Sequence, residues 1–235
     1  MKIIKYLIGI VFYSLLITGC NNNNSTNPSF ITYDTVKICL QVWMQKNLDV
    51  QRYRNGDMIR YCPNGDDWKD AGNKKEGAWC YYNNDSTLGK IYGKLYNWYA
   101  VNDPRGLAPA GWHIPTDEEW KTMEKCLGML EDTVEIFGFR GTDQGCKLSG
   151  NFDLWRDGTL RNDTNFGKSG FNALPAGMIH QNETFGNRTL NGIWWNSTEF
   201  DSSEAIIRNI FFDSPKISRG VIKKNYGISV RCIKD

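Results

Sequence analysis

Residues 111–120, G-W-H-I-P-T-D-E-E-W, constrain the fold more than any other stretch of this sequence. Pro115 ends the extended segment, and Thr116 followed three residues later by Glu119 is the pattern of a helix capping box. The helix dipole favours the carboxylates of the first turn. Apolar residues then recur at helical spacing, at Trp120, Met123, Leu127 and Leu130. The stretch predicts a strand or loop that enters a short amphipathic helix, with Trp120 facing the core.

Residues 1–20 have the pattern of a lipoprotein signal peptide. Lys2 and Lys5 precede an apolar run over residues 7–17, which is too short to span a bilayer. The run closes on L-I-T-G-C, which resembles a bacterial lipobox, where the cysteine is lipidated and becomes the first residue of the mature protein. We therefore expect lipidation of Cys20. Ordinary cleavage with an unmodified Cys20 and an uncleaved anchor are the alternatives.

Residues 21–34 are polar and rich in asparagine, which is typical of a flexible tether. Residues 35–235 have a length that suits one domain. The formal net charge is +2 and no basic run occurs, so we expect no nucleic acid partner. The sequence predicts a cell-envelope lipoprotein held on a membrane, such as the outer membrane, through the lipid on Cys20. Whether it faces the periplasm or the cell surface is left open.

Six cysteines remain when Cys20 is set aside: Cys39, Cys62, Cys80, Cys126, Cys146 and Cys232. An even number in an exported chain favours disulfides, so we expect most or all of these cysteines to be oxidised. No C-x-x-C pair occurs, and the usual zinc patterns are therefore missing. Cys232 shares a strand face with Val230, which points it at the core. Because Cys126 lies on the flank of the predicted helix, a Cys126–Cys232 bridge is one option.

Apolar alternation predicts strands over residues 36–42, 192–199, 205–212 and 226–233, and an aromatic strand begins at residue 78. Within residues 205–212, Ile207, Asn209 and Phe211 fall on one side of the strand.

Three other segments are poor in regular patterns. Residues 61–77 hold two turn clusters around Trp68 and predict a loop with one helical turn at most. Residues 138–174 are too rich in Gly, Asn and Asp to be mainly helix. Residues 171–177 resemble an edge strand that stops at Pro175. Together these patterns predict an antiparallel, loop-rich α+β domain with one or two helices.

Seven segments of the chain occur in a characteristic order: W-M-Q-K-N-L, A-W-C-Y-Y-N-N-D, Y-G-K-L-Y-N-W-Y-A-V, G-W-H-I-P-T-D-E-E-W, F-N-A-L-P-A-G, W-W-N-S-T-E and Y-G-I-S-V-R-C. Together they resemble the Fibrobacter succinogenes major paralogous domain, a bacterial extracytoplasmic family often found on lipoproteins. More remotely, the helix opening, the Trp-rich strand and S-V-R-C are similar to formylglycine-generating enzymes and C-type lectins. The resemblance implies a C-type-lectin-like fold. It implies no established activity, because the role of the family is poorly defined.

An enzymatic function finds little support in these residues. Formylglycine-generating enzymes use a cysteine pair near the C-terminus, whereas only Cys232 lies in that part of this chain. His113 beside the acidic cluster is a candidate for acid–base chemistry. Because it stands between Trp112 and Ile114 before a helix cap, we expect it to be packed and hydrogen-bonded. We therefore predict no catalytic residue and no enzyme.

A ligand surface is the better-supported site. C-type lectins place a Trp-Asn-Asp stretch beside a calcium loop, but Ser197 follows Trp195-Asn196 here, so the aspartate is missing. We expect no cofactor, and a structural calcium ion near Glu199 is the alternative. Strand alternation turns Trp194 and Trp195 to opposite faces, so one is expected in the core and the other on an exposed sugar platform. The ligand-binding candidates are Trp194, Trp195, Asn196, Glu199, Tyr81, Tyr82 and Trp98.

These patterns favour a lipid-anchored cell-envelope protein with a non-catalytic binding or adhesion domain. Its expected ligand is a carbohydrate or another partner at the surface, such as a protein. A diverged catalyst similar to formylglycine-generating enzymes and a purely structural surface protein are the alternatives.

Overall fold

The computed structural model describes residues 32–235. They contain thirteen β-strands and six short α-helices, joined by turns and loops. Residues Tyr33–Asp235 form one compact unit. The predictions for residues 1–31, including Cys20 and most of the tether, lie outside the described residues. The helices are α1 Gly65–Asn73, α2 Ser86–Tyr92, α3 Trp98–Val101, α4 Asp117–Cys126, α5 Gln144–Leu148 and α6 Thr159–Asn162.

The strands form four small sheets. The first contains β1 Thr35–Ile38, β2 Gln41–Met44, β6 Trp112–His113 and β13 Ile233–Lys234, in the antiparallel order β1-β2-β13-β6. The second contains β7 Gly138–Arg140, β10 Asn191–Glu199, β11 Glu204–Phe211 and β12 Ile217–Lys223, in the antiparallel order β10-β11-β12-β7. The others are β3 Arg60–Tyr61, β4 Ala78–Cys80 and β5 Leu95–Tyr96, and the ribbon of β8 Met178–Ile179 with β9 Phe185–Gly186.

The α+β class is confirmed, but the prediction of one or two helices is wrong. Residues 61–77 contain α1, a nine-residue helix, instead of a loop. The Asn64 side chain caps it by accepting a hydrogen bond from the backbone N–H of Asp67 at 2.9 Å. Trp68 is buried and its Nε1 donates to the carbonyl of Asn225 at 3.0 Å. Capping and tertiary burial therefore outweigh the poor helix propensity of this segment.

Some predicted strands also differ from those observed. Residues 36–42 form a hairpin, because the chain turns between β1 and β2 at Cys39, whose φ is 52°. Residues 171–177 contribute only an isolated bridge at Ala173, and residues 226–233 contribute isolated bridges before β13. The parallel pairing of β3 with β4 departs from the expected antiparallel pattern. In contrast, β10 and β11 confirm the strands predicted over residues 192–199 and 205–212.

The helix predicted to begin after Thr116 is confirmed as α4. Thr116 Oγ1 accepts from the Glu119 N–H at 3.2 Å, and Glu119 Oε2 accepts from the Thr116 N–H at 2.8 Å. Trp120 and Met123 are buried. The apolar face is shorter than predicted, because α4 ends before Leu130, whose side chain is 70% exposed.

An aromatic cluster fixes α4 between the first two sheets. Trp120 lies 5.1 Å from Trp43 of β2, 5.7 Å from Phe171 and 6.4 Å from Trp194 of β10, measured between ring centroids. All four rings are buried. Tilted and edge-on contacts at these distances stabilise a core beyond the burial of area alone.

A buried group of charges joins α4 to the second sheet. Asp117 pairs with Arg208 of β11 at 2.7 Å and with Arg219 of β12 at 2.6 Å. Glu124 pairs with Arg208 at 2.6 Å and with Arg140 of β7 at 2.5 Å. Burial alone would raise the pKa of Asp117, but its hydrogen bonds and charge interactions with the two arginines hold it at about 2. Removal of Asp117 would leave Arg219 without its carboxylate, and removal of Glu124 would do the same to Arg140, whereas Arg208 would keep one of its two acids.

Candidate functional site

Trp194 and Trp195 do not form an exposed platform, so that prediction is wrong. Their side chains do point to opposite faces of β10, yet both are 0% exposed. Trp194 Nε1 donates to Asn47 Oδ1 at 2.9 Å, and Trp195 Nε1 donates to the Tyr96 carbonyl at 2.8 Å. This part of the sheet is covered on both faces by separate hydrophobic clusters, so each indole is a core residue.

Three of the other candidates meet around Lys224. Trp98 Nε1 donates to the Asn196 carbonyl at 3.2 Å, and the Lys224 ammonium lies 4.8 Å from the centre of the Trp98 ring. Lys224 also forms an ion pair with Glu199. Trp98, Asn196 and Lys224 are buried. These candidates therefore lie together in a group whose buried ammonium is paired with the exposed Glu199 carboxylate.

Tyr81 and Tyr82 belong to a different part of the domain. The Tyr81 ring packs edge-on against Trp79 at 5.2 Å and faces the Lys94 ammonium at 4.9 Å. Tyr82 is buried and packs against Phe185 at 5.3 Å. Neither tyrosine joins the group around Lys224, and both take part in packing.

Two carboxylates of this region, Glu199 and Asp201, are engaged by protein groups. Lys224 neutralises Glu199, and Asp201 Oδ1 accepts from the N–H groups of Ser203 at 2.7 Å and of Glu204 at 2.8 Å. Within residues 32–235, no group of three or more His, Cys, Asp or Glu side chains is placed to hold a metal ion. The structural calcium ion near Glu199 stays an untested alternative.

Among the described cysteines, the disulfide joins Cys39 to Cys126. The Cys126–Cys232 bridge is therefore wrong, because the hairpin turn at Cys39 brings that thiol to the end of α4. Cys232 is buried, as its strand face predicts. The buried thiols without a bond in the described structure are Cys62, Cys80, Cys146 and Cys232.

His113 is held between two carboxylates at the start of α4. Nε2 lies 2.7 Å from Glu119 Oε1, and Nδ1 lies 2.8 Å from Asp235 Oδ1. Burial lowers the pKa of His113, but the two carboxylates outweigh this effect and raise the pKa above its ordinary value. The residue lines an open cavity of about 300 Å³ together with Arg54. Since both ring nitrogens are already bonded, the geometry favours a structural role for this histidine.

One face of the second sheet carries both aromatic and polar side chains. Phe139 of β7 stands opposite Ser218 of β12, which stands opposite Asn209 of β11. Phe211 of β11 stands opposite Asn191 of β10. Directly opposed residues, and residues two apart in a strand, share one face of a sheet. We call these five residues the phenylalanine face.

The geometry of the phenylalanine face is fixed by its own contacts. The Phe139 and Phe211 rings lie 6.3 Å apart, and Phe211 packs against Phe212 at 4.7 Å. Phe139 remains 47% exposed. Asn191 Nδ2 donates to Asn209 Oδ1 at 2.9 Å, which orients the Asn209 amide. Asn191 is buried, but the exposed Phe139 ring lies on the same sheet face as the half-buried Asn209, Phe211 and Ser218.

The sequence placed Asn209 and Phe211 on one strand face but missed the role of Phe139. Phe139 lies in a glycine-rich stretch, and β7 is only three residues long. No local pattern indicates that this segment pairs with β12. The available signal was a single phenylalanine between Gly138 and Arg140, which does not by itself predict a strand.

Comparison with protein families matches residues 36–234 to the Fibrobacter succinogenes major domain. The chain belongs to this family. No curated protein and no solved structure matches it.

Within the Fibrobacter succinogenes major domain of this chain, the predicted aromatic candidates are mostly core residues, whereas the phenylalanine face contains the exposed Phe139. Its five members carry no formal charge. They offer ring faces for stacking and amide and hydroxyl groups for hydrogen bonds. Such an arrangement suits a neutral ligand with both apolar and polar edges.

The helices of the family domain are all short. In residues 32–235, none is long and apolar enough to cross a membrane.

Proposed function

We propose that the protein is a lipid-anchored cell-envelope protein whose domain binds carbohydrate, without catalysis, on the phenylalanine face. The anchor is proposed on Cys20, at the end of the basic, apolar and L-I-T-G-C pattern of residues 1–20. The polar residues 21–34 then act as the tether that holds the domain away from the membrane.

The exposed Phe139 ring beside polar side chains is the observation that carries the binding proposal. A sugar ring presents C–H groups on its faces and hydroxyl groups around its rim. The C–H groups stack on the electron-rich face of an aromatic ring such as Phe139. The hydroxyl groups bond to the Asn209 amide and the Ser218 hydroxyl, which lie on the same sheet face.

The orientation of Asn209 supports this assignment. Because Asn191 Nδ2 donates to Asn209 Oδ1, the Asn209 amide hydrogens are the groups left to donate to a ligand. A neutral surface also fits a neutral polysaccharide better than a charged polymer.

A glycan array tests the proposal. The chain starting after Cys20, which keeps the whole described domain, is applied as wild type, as Phe139→Ala and as Phe152→Ala. Phe152 is a matched control because it is 45% exposed and contacts Phe166 instead of the phenylalanine face.

We expect the wild type and Phe152→Ala to bind the same glycans and Phe139→Ala to lose them. Glycan binding that survives Phe139→Ala would place the site elsewhere. If the folded wild type binds no glycan at all, the carbohydrate proposal is wrong, and a structural surface role becomes the better account.

A further inference from the structure

Two buried thiols lie side by side at the ends of neighbouring strands. β3 and β4 are parallel, with Arg60 opposite Ala78 and Tyr61 opposite Trp79. The Cys62 N–H donates to the Trp79 carbonyl at 2.9 Å, so the pairing extends up to Cys62. Continued by one residue, this register places Cys62 next to Cys80 on the same face of the sheet.

The surroundings confirm that these two side chains share one environment. Cys62 and Cys80 belong to the same hydrophobic cluster, together with Trp68 of α1, and both are buried. The remaining buried thiols belong to other clusters, Cys146 in one and Cys232 in another. Each of the two neighbours therefore has one thiol within reach.

The spacing of neighbouring strands suits a disulfide. Adjacent strands lie about 4.8 Å apart, which is inside the range of about 4.4–6.8 Å between Cα atoms in disulfide bonds. The established Cys39–Cys126 bond spans a longer Cα–Cα distance of 6.5 Å.

We propose that Cys62 and Cys80 form a second disulfide bond, which closes the loop that carries α1. The occurrence of this bond in the cell rests on the proposed export, since disulfides persist in oxidising compartments. Its formation from the thiols depends only on the fold.

The chemistry is a thiol–disulfide exchange. One cysteine, as a thiolate, attacks the disulfide of an oxidant and forms a mixed disulfide with it. The second cysteine then attacks the protein sulfur of that mixed disulfide, which forms the Cys62–Cys80 bond and releases the oxidant as a dithiol. The two cysteines lose two electrons and two protons in total, and the oxidant takes them up. A dithiol oxidase of the envelope is the class of oxidant required, and oxidised glutathione replaces it in solution.

Burial sets the time at which this exchange takes place. Burial raises the pKa of Cys62 to about 11 and that of Cys80 well above its ordinary value. Thiolates are therefore scarce in the folded domain, and exchange is expected during folding, before the cluster around Trp68 closes. Once formed, the bond is protected from reductants by the same burial.

Peptide mapping without reduction tests the pairing. The full chain is reduced, unfolded, refolded with a mixture of reduced and oxidised glutathione, and then unfolded again in N-ethylmaleimide before digestion with trypsin. Cleavage after Arg60, Lys69, Lys75 and Lys90 gives residues 61–69 and 76–90 as separate peptides. We expect these two peptides as one disulfide-linked species, beside the species that links Cys39 to Cys126.

Two variants serve as controls in the same experiment. Cys62→Ser should leave Cys80 alkylated and the Cys39–Cys126 link intact. Cys146→Ser removes a buried thiol of another cluster and should leave both links intact. The proposal is overturned if Cys62 and Cys80 are both alkylated in refolded wild type that contains the Cys39–Cys126 link, or if either one links to Cys146 or Cys232.

The same map of chain isolated from cells separates this proposal from that of export. If both links form on refolding but all six cysteines of the cellular protein are alkylated, the pairing holds and export is the assumption that fails.

Discussion

Arg231 donates from Nη2 to Asn47 Oδ1 at 2.8 Å, and this bond joins two buried residues that are 184 positions apart. Arg231 Nη1 also donates to the carbonyls of Met44 at 3.0 Å and of Phe171 at 2.6 Å. The same Asn47 oxygen accepts from Trp194 Nε1. Burial lowers the pKa of Arg231 to about 9. The Asn47 amide thus joins the segment that follows β2 to Trp194 of β10 and to Arg231 near the end of the chain.

Replacement of Asn47 should therefore destabilise the domain strongly. Asn47→Ala leaves a buried guanidinium and a buried indole N–H without their shared acceptor, at a cost of about 3–5 kcal/mol. Urea unfolding followed by tryptophan fluorescence measures the free energy of unfolding. Asn55→Ala, at an exposed turn, is the control and should change it little. Equal stabilities of the two variants would contradict the central role of Asn47.

The start of α4 predicts two very different stability effects. Thr116→Ala removes one capping hydrogen bond and should cost on the order of 1 kcal/mol. Trp120→Ala empties the middle of the aromatic cluster and should cost roughly 3–5 kcal/mol. Thermal unfolding of both variants measures the difference. Comparable losses at the two positions would contradict the larger contribution of the buried Trp120 ring.

These two residues also mark what the sequence can predict. The capping box involves residues three apart, so its pattern is visible locally and is confirmed. α1 is also a local element, but it is stabilised by the contact of Trp68 with Asn225, far away in the sequence. Helix propensity does not report such contacts.

The second sheet shows what strand alternation alone does not predict. Alternation correctly turned Trp194 and Trp195 to opposite faces, but exposure depends on what covers each face, and both are covered. Phe139 became accessible only through the pairing of β7 with β12. Arg208 and Arg219 are buried because α4 supplies Asp117 and Glu124, which no strand pattern indicates. Sheet partners and layer contacts are thus the missing information.

The buried charges predict how stability depends on acid. The folded pKa of Asp117, about 2, lies below its ordinary value of 3.8. The stabilisation from its ionised form is therefore complete above pH 3.8 and is lost as the pH falls towards 2. This shift amounts to about 2 kcal/mol.

Asp117→Asn tests this dependence. The variant should be less stable at pH 7, because buried Arg219 loses its carboxylate partner and Arg208 keeps only Glu124. Its free energy of unfolding should also fall less steeply than that of the wild type between pH 4 and pH 2. Asp132→Asn, at an exposed position, should keep the wild-type slope. Parallel curves for Asp117→Asn and wild type would show that another group titrates.

The proposed anchor predicts a change of cell fraction. Cys20→Ser removes the thiol that would carry the lipid, so the domain should leave the membrane fraction and appear in the soluble one. Immunoblotting of both fractions is the measurement, and Cys146→Ser is the control with an unchanged distribution. Membrane association that persists in Cys20→Ser would contradict lipidation at this cysteine.

The phenylalanine face allows a test that separates sugar stacking from general apolar contact. Phe139→Leu keeps most of the apolar surface but removes the aromatic ring, whereas Phe139→Trp enlarges the ring. Stacking contributes roughly 0.5–1.5 kcal/mol beyond burial, which is up to about tenfold in affinity. For a glycan found on the array, Phe139→Leu should weaken binding by up to about tenfold and Phe139→Trp should preserve or strengthen it.

Calorimetric titration of each variant, with Phe152→Leu as the control, measures these affinities. The melting temperatures should stay close to that of the wild type, because Phe139 is nearly half exposed and no core is emptied. If Phe139→Leu binds as tightly as the wild type while Phe139→Asp does not bind, the contact is apolar without a need for a ring. A protein partner would then fit the phenylalanine face better than a sugar, since aliphatic side chains satisfy apolar protein contacts as well as aromatic ones do.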